Sequence, residues 1–98
     1  DLSRQFKDET SGYDAVLMPT VAMTAPAISE VEASADAYRS INVRALSLPS
    51  LANRLGLCAI TIPLPSAPLP IGLTILGRPL EEPHLLQVAA LLEGLLAA

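Results

Sequence analysis

The 98-residue chain is 51% hydrophobic and 16% charged, with a formal net charge of −4. Its only lysine, Lys7, and its arginines at 4, 39, 44, 54 and 78 are scattered, which excludes the clustered basic surface that nucleic acid or an anionic membrane requires. One cysteine, Cys58, permits no internal disulfide, and the N-terminus lacks the basic-then-apolar pattern of a signal peptide, so a cytoplasmic protein is expected.

In chain order, residues 1–10 are polar with Leu2 and Phe6 four apart, the spacing of a helix end, stopped by Ser11-Gly12. The run Ala15-Val16-Leu17-Met18, closed by Pro19, predicts a short strand buried on both faces. Residues 19–29 carry two prolines and no helical period, which predicts an extended loop. From Ser34 to Leu55 the apolar residues recur at threes and fours, with Ser34 and Asp36 as N-terminal caps. Pro49 has no N–H to give, so two helical pieces are expected, 34–47 and 50–55, with Gly56 ending the second. Residues 58–62 form a second strand candidate, and 63–70, PLPSAPLP, a stiff connecting loop. Residues 71–76 form a third strand, antiparallel to the second because the connection is short. A final helix begins near Pro83 and is apolar over more than one face, so it calls for burial on two sides. It is too short for a membrane span of about 20 residues, and it contains Gln87 and Glu93.

Average domains carry about 25% charged residues, and a small domain has proportionally more surface to cover. The charge deficit therefore implies that other protein covers part of this chain. Three strands also leave two open sheet edges. The first residue is Asp1 and not Met, as expected of a fragment or processed product.

Four segments, in order, resemble the C-terminal third of the amidase-signature family. Tyr13-Asp14-Ala15-Val16-Leu17-Met18-Pro19-Thr20 is similar to the family's YDALLTPT, and Asn53-Arg54-Leu55-Gly56-Leu57-Cys58-Ala59-Ile60-Thr61-Ile62-Pro63 to NLAGLPAISVP. Leu69-Pro70-Ile71-Gly72-Leu73-Thr74-Ile75-Leu76-Gly77-Arg78-Pro79 is similar to LPVGLQLIGRP, and residues 85–93 to the closing helix LLRVAAALE. Cys58 stands where the family usually has proline. Leu46, Ser47 and Leu48 stand where glutamine-using amidotransferase subunits often carry a polar or acidic residue, which favours a general amidase.

The resemblance implies an α/β fold: the C-terminal part of a larger mixed β-sheet sandwiched by helices, with residues 1–98 as the C-terminal segment and the catalytic core upstream. It further implies hydrolysis of a carboxylic amide through a Ser–cisSer–Lys acyl-enzyme, in which a base activates the serine and backbone N–H groups stabilise the oxyanion. The Gly/Ser-rich signature that carries those residues is absent: no two glycines are adjacent, and there is no Gly-Ser-Ser. The expected role is therefore structural, supplying sheet, pocket wall and closing helix, with no activity alone and no catalytic residue.

Other chemistries are weaker. Lys7 with Ser47 or Ser50 is the sole Ser–Lys combination, and a lysine on a polar helix end is a poor base. A Cys58–His84 dyad needs a reactive thiol, whereas a cysteine opening an apolar strand is ordinarily inert packing. No His/Cys/Asp/Glu set has metal-ligand spacing, and no metal or cofactor is expected. Arg44 and Asn53 flank the Pro49 break and are the candidate substrate-binding residues, Arg44 meeting a carboxylate or carbonyl. Met18, Met23 and Ile28 are candidates for an apolar wall or for core. The expected partners are the missing catalytic core of the same protein and a small amide substrate, with a homodimer also open. A scaffold or dimerising binding module remains an alternative, as do, within the family, allophanate hydrolase and a glutamine-dependent amidotransferase subunit.

Overall fold

The computed structural model describes residues 1–65 and 68–97. Helix α1 (Leu2–Glu9) starts on Asp1, whose carboxylate accepts the Ser3 N–H at 3.1 Å. It stops at Thr10, whose N–H and hydroxyl both reach the Phe6 carbonyl. Strand β1 (Val16–Pro19) follows. The stretch read as loop is irregular only as far as Ala27, and Ile28 and Ser29 belong to a one-turn helix, α2 (Ile28–Val31). Pro26 keeps its predecessor out of helical space, but from Ile28 onward nothing does, and α2 packs on the next helix.

That helix, α3 (Ala35–Ser47), is capped by Ser34, whose hydroxyl accepts the Ala37 N–H at 3.0 Å. Pro49 divides it from α4 (Pro49–Leu55) and occupies the first position of the new helix, where a missing N–H costs nothing. The side chains of Ser47 and Ser50 donate to the carbonyls of Arg44 and Ser47 at 2.8 and 3.1 Å, so both hydroxyls are tied to the backbone at the break. Gly56 ends α4 at φ 66°, the left-handed conformation that lets the Leu57 N–H reach the Ala52 carbonyl at 3.0 Å.

Strands β2 (Cys58–Pro63) and β3 (Gly72–Gly77) and helix α5 (Glu82–Ala97) complete the chain. Ser66 and Ala67, in the connection read as stiff, lie outside the described residues. The sheet is antiparallel throughout, in the order β1-β3-β2, and with the flanking helices it gives the expected mixed α/β architecture. The central strand is thus the third in sequence. The first strand is not buried on both faces as its apolar run suggests: it lies at the edge, and Leu17 is 50% exposed. A continuous apolar run is shared by β1 and β3, and only pairing on two sides separates them.

Alternation along β3 sorts its side chains. Ile75, at 0% exposure, faces α5, where Ile62, Leu85 and Ala89 close the core with Val88 and Leu92 beside them. Thr74 and Leu76 face the other way. There the Thr74 hydroxyl bonds those of Thr20 and Thr61, at 2.8 and 3.0 Å, across all three strands. A Cβ on Gly72 would lie 2.6 Å from the Thr20 hydroxyl and 2.8 Å from the Thr61 methyl, so the threonines close up only over a glycine.

The molecule is a slab of 44 × 40 × 18 Å. Its radius of gyration, 15.6 Å, exceeds the roughly 13 Å of a compact 100-residue domain. Its accessible area of 6979 Å² exceeds the ~5,400 Å² typical of a monomer of this mass. The outward side of α5 accounts for part of the excess, through exposed Leu86, Leu91 and Leu95.

Two substitutions test this packing. Ile75→Ala should cost about 2–5 kcal/mol, because the pocket under α5 is closed on every side. Gly72→Ala should cost about 1–3 kcal/mol by forcing the stiff threonines apart. Both are read as shifts in urea midpoint, and an unchanged midpoint for Gly72→Ala would refute the threonine contact.

Candidate functional site

A depression of about 540 Å³ lies between α1, the end of α4 and the end of β3. Phe6, Leu55, Leu57 and Leu76 give it apolar walls, and Lys7 and Arg78 stand among its charged lining. Arg78 is fixed there by an arrangement with no local sequence signal. One terminal nitrogen of its guanidinium donates to the carbonyls of Thr10, Ser11 and Tyr13, at 3.2, 3.3 and 3.4 Å. Two hydrogens serve three acceptors, so at least one is shared. The acceptors belong to the C-cap of α1 and the turn that follows it, beside a helix end whose last carbonyls carry partial negative charge and favour a cation. The carbonyl of Arg78 itself accepts the Cys58 thiol at 3.1 Å.

The residues singled out from the sequence lie elsewhere. Arg44 is exposed in the last turn of α3, and Asn53 is exposed on α4 with its carbonyl accepting the Gly56 N–H. Neither lines the 540 Å³ cleft. A second, shallower depression of about 290 Å³ takes in Met23 together with Pro19, Ile71 and Gly72. Met18 is half-buried on β1, and Ile28 is 75% exposed.

Among the described residues, the structure brings together no nucleophile with a base. Ser47 and Ser50 spend their hydroxyls on backbone carbonyls, while Lys7 lines the cleft. Cys58 is half-buried and donates to Arg78, whereas His84 Nε2 lies 3.7 Å from an Asp14 carboxylate oxygen, with both side chains substantially exposed. Among the described residues, no three His, Cys, Asp or Glu side chains converge as metal ligands. Among them too, no helix is long and apolar enough to cross a membrane.

The chain matches the amidase family model over residues 1–86. It is 31% identical to 2-amino-5-chloromuconic acid deaminase of Comamonas testosteroni, over 85% of this chain and 18% of that protein. It is 36% identical to a fatty acid amide hydrolase of Arabidopsis thaliana, over 92% of this chain and 15% of that one. Among solved structures it superposes on a glutamyl-tRNA(Gln) amidotransferase subunit of Thermotoga maritima with a TM-score of 0.59 and 33% identity, covering 80% of this chain and 16% of that one. The chain thus spans less than a fifth of the length of these relatives.

Replacing Arg78 by methionine should cost about 1–3 kcal/mol, since three carbonyls lose a shared charged donor. Lysine should restore little, because a single ammonium does not reproduce the planar fork. Denaturant midpoints measure the loss, and faster amide exchange confined to α1 and the turn after it identifies the cause.

Proposed function

This chain belongs to the amidase family, and on that premise we propose that it forms the C-terminal part of a hydrolase of carboxylic amides. In this reading, residues 1–98 supply three sheet strands, a pocket wall and the closing helix. The Ser–cisSer–Lys set and its oxyanion-binding backbone belong to an upstream core, and this chain performs no hydrolysis alone. The observation that carries the reading is the incompleteness of the slab. Its area is well above that of a finished domain of the same mass, and α5 turns apolar residues outward as well as inward. A free thiol at Cys58 fits the cytoplasmic setting that belongs to the same proposal.

Arg44 and Asn53 retain a place in it. Both side chains are exposed on either side of the Pro49 break, so both are available to a substrate or to a wall contributed by the core. Arg44 is the partner for a substrate carboxylate or carbonyl, and Asn53 for an amide. A second reading, a glutamine-dependent amidotransferase subunit, is supported by the likeness to the Thermotoga protein. Against it stand Leu46, Ser47 and Leu48, which offer a single short hydroxyl where such subunits often carry a polar or acidic group; the Ser47 hydroxyl is given to the Arg44 carbonyl.

Ammonia release from simple carboxylic amides, measured on the 98-residue chain and on a family-length protein containing it, tests the assignment. Only the longer protein should hydrolyse them, and the shorter should bind a hydrophobic dye. Turnover by the 98 residues, or a stable monomer that binds no dye, would defeat the proposal. In the longer protein Arg44→Ala should raise KM roughly tenfold to a hundredfold, the ~1.5–3 kcal/mol of a charged hydrogen bond. An unchanged KM with unchanged stability removes Arg44 from the site.

A further inference from the structure

The Arg78 guanidinium spends only part of its hydrogen-bonding capacity. Nη2 donates to the carbonyls of Thr10, Ser11 and Tyr13, whereas Nε–H and Nη1–H have no acceptor among the described residues. No buried side-chain nitrogen lacks a partner among them, so these two groups open on solvent. Arg78 also has no carboxylate within ion-pair distance among the described residues, where Arg39 pairs with Asp36 and His84 with Asp14. A half-buried cation of this kind is open to an anion, and charge-assisted hydrogen bonds are the strong ones.

Arg78 lines the 540 Å³ cleft beside Phe6, Leu55, Leu57 and Leu76. A volume within roughly 300–1,000 Å³, apolar walls and a few fixed polar groups are what a small-molecule site requires. Of the charged residues lining the cleft, Arg78 alone is half-buried; Arg4, Lys7, Asp1, Asp8, Asp14 and Glu81 are exposed. Water and salt screen exposed charges most, so the field within the cleft is set chiefly by one cation. That cation is held before any ligand arrives, because Nη2 is already anchored, and little side-chain freedom remains to be lost on binding.

We propose that this cleft binds a small monocarboxylate with an apolar body. Its carboxylate accepts from the free donors of Arg78, and its body lies against Phe6, Leu55, Leu57 and Leu76. A polar body would leave hydrogen-bonding groups unmatched against those walls. A single charge is selected over a double one, because the carboxylates of Asp1, Asp8, Asp14 and Glu81 stand in the same lining and repel a dianion more. The site rests on the geometry of the cleft and is independent of the amide-hydrolase reading.

Calorimetric titration of the family-length protein with octanoate, octanol, octylamine and inorganic phosphate tests the site, with the methyl resonances of Leu55, Leu57 and Leu76 locating the probe. Octanoate should bind ~10–100-fold more tightly than octanol or octylamine, the worth of a charged hydrogen bond, and should shift those methyls. Arg78→Gln should lower octanoate to the affinity of octanol; if that variant does not fold, the ligand series and the methyl shifts decide alone. Octanol or phosphate binding as tightly as octanoate overturns the proposal. So do unmoved methyls, whether octanoate binds elsewhere or another segment of the longer chain fills the cleft. Octanoate seated here in a protein without amidase activity supports the site while removing the enzymatic reading.

Discussion

The structure depends on keeping β3 dry on both faces and hydrogen-bonded along both edges. Thr74, Ile75, Leu76 and Gly77 are all buried, and no side chain of β3 reaches water freely. Such a strand is stable only with a layer on each side. On one side α5 supplies it, bringing Leu85 and Ala89 one turn apart onto Ile75 and Ile62. On the other side the cover is partial: α1 and the end of α4 approach Leu76, while the Thr74 end is protected by hydroxyls and not by an apolar layer.

Two polar arrangements pin β3, one at each end. Near Gly72, three threonine hydroxyls share hydrogen bonds across the strands, which satisfies the buried Thr74 and ties the exit of β1 to the centre. A non-bonded antiparallel pair brings side chains closest, and Thr61 faces Thr74 at such a position. Near Gly77, the Arg78 side chain holds the turn after α1 while its carbonyl takes the Cys58 thiol. α1 buries no residue of its own, so its placement leans on this polar tie and on the half-buried Phe6. Both arrangements use the residue types that an apolar sheet cannot satisfy by burial alone.

How much of this is legible in the sequence follows from the range of each interaction. Helix and strand positions come from local periodicity and from Pro49, Gly56 and Pro63, each of which acts on its own backbone. α2 escapes a sequence reading because four residues without a side-chain cap show no period, and it is held by packing on α3. β1 reads as a central strand because its composition equals that of one, and centrality is a matter of strand order. The threonine cluster joins residues 54 and 13 positions apart, and the Arg78 tie spans 65–68. Neither leaves a local trace, although Gly72 and Arg78 both stand inside the family-like segment 69–79. Arg44 and Asn53 stand out in the sequence for their place beside a helix break, and the break is real; their chemistry depends on groups beyond these residues.

The distribution of charge explains why the slab has the shape it has. No charged residue occurs between Arg54 and Arg78, a stretch that includes all of β2 and β3. Charges gather instead on α1, on the segment from Glu30 to Arg44 and around the start of α5. A sheet hairpin without charge has no means of discouraging edge-to-edge association except its prolines, and Pro19 and Pro63 stand side by side with β3 between them, at one end only. The opposite end is unguarded. Selection against aggregation acts on the surface a protein presents to solvent, so a hairpin left uncharged over this length accords with the proposal that a larger chain covers it. The uncharged surface lies on β2 and the threonine face, whereas α1 and α3 carry charge along their exposed sides.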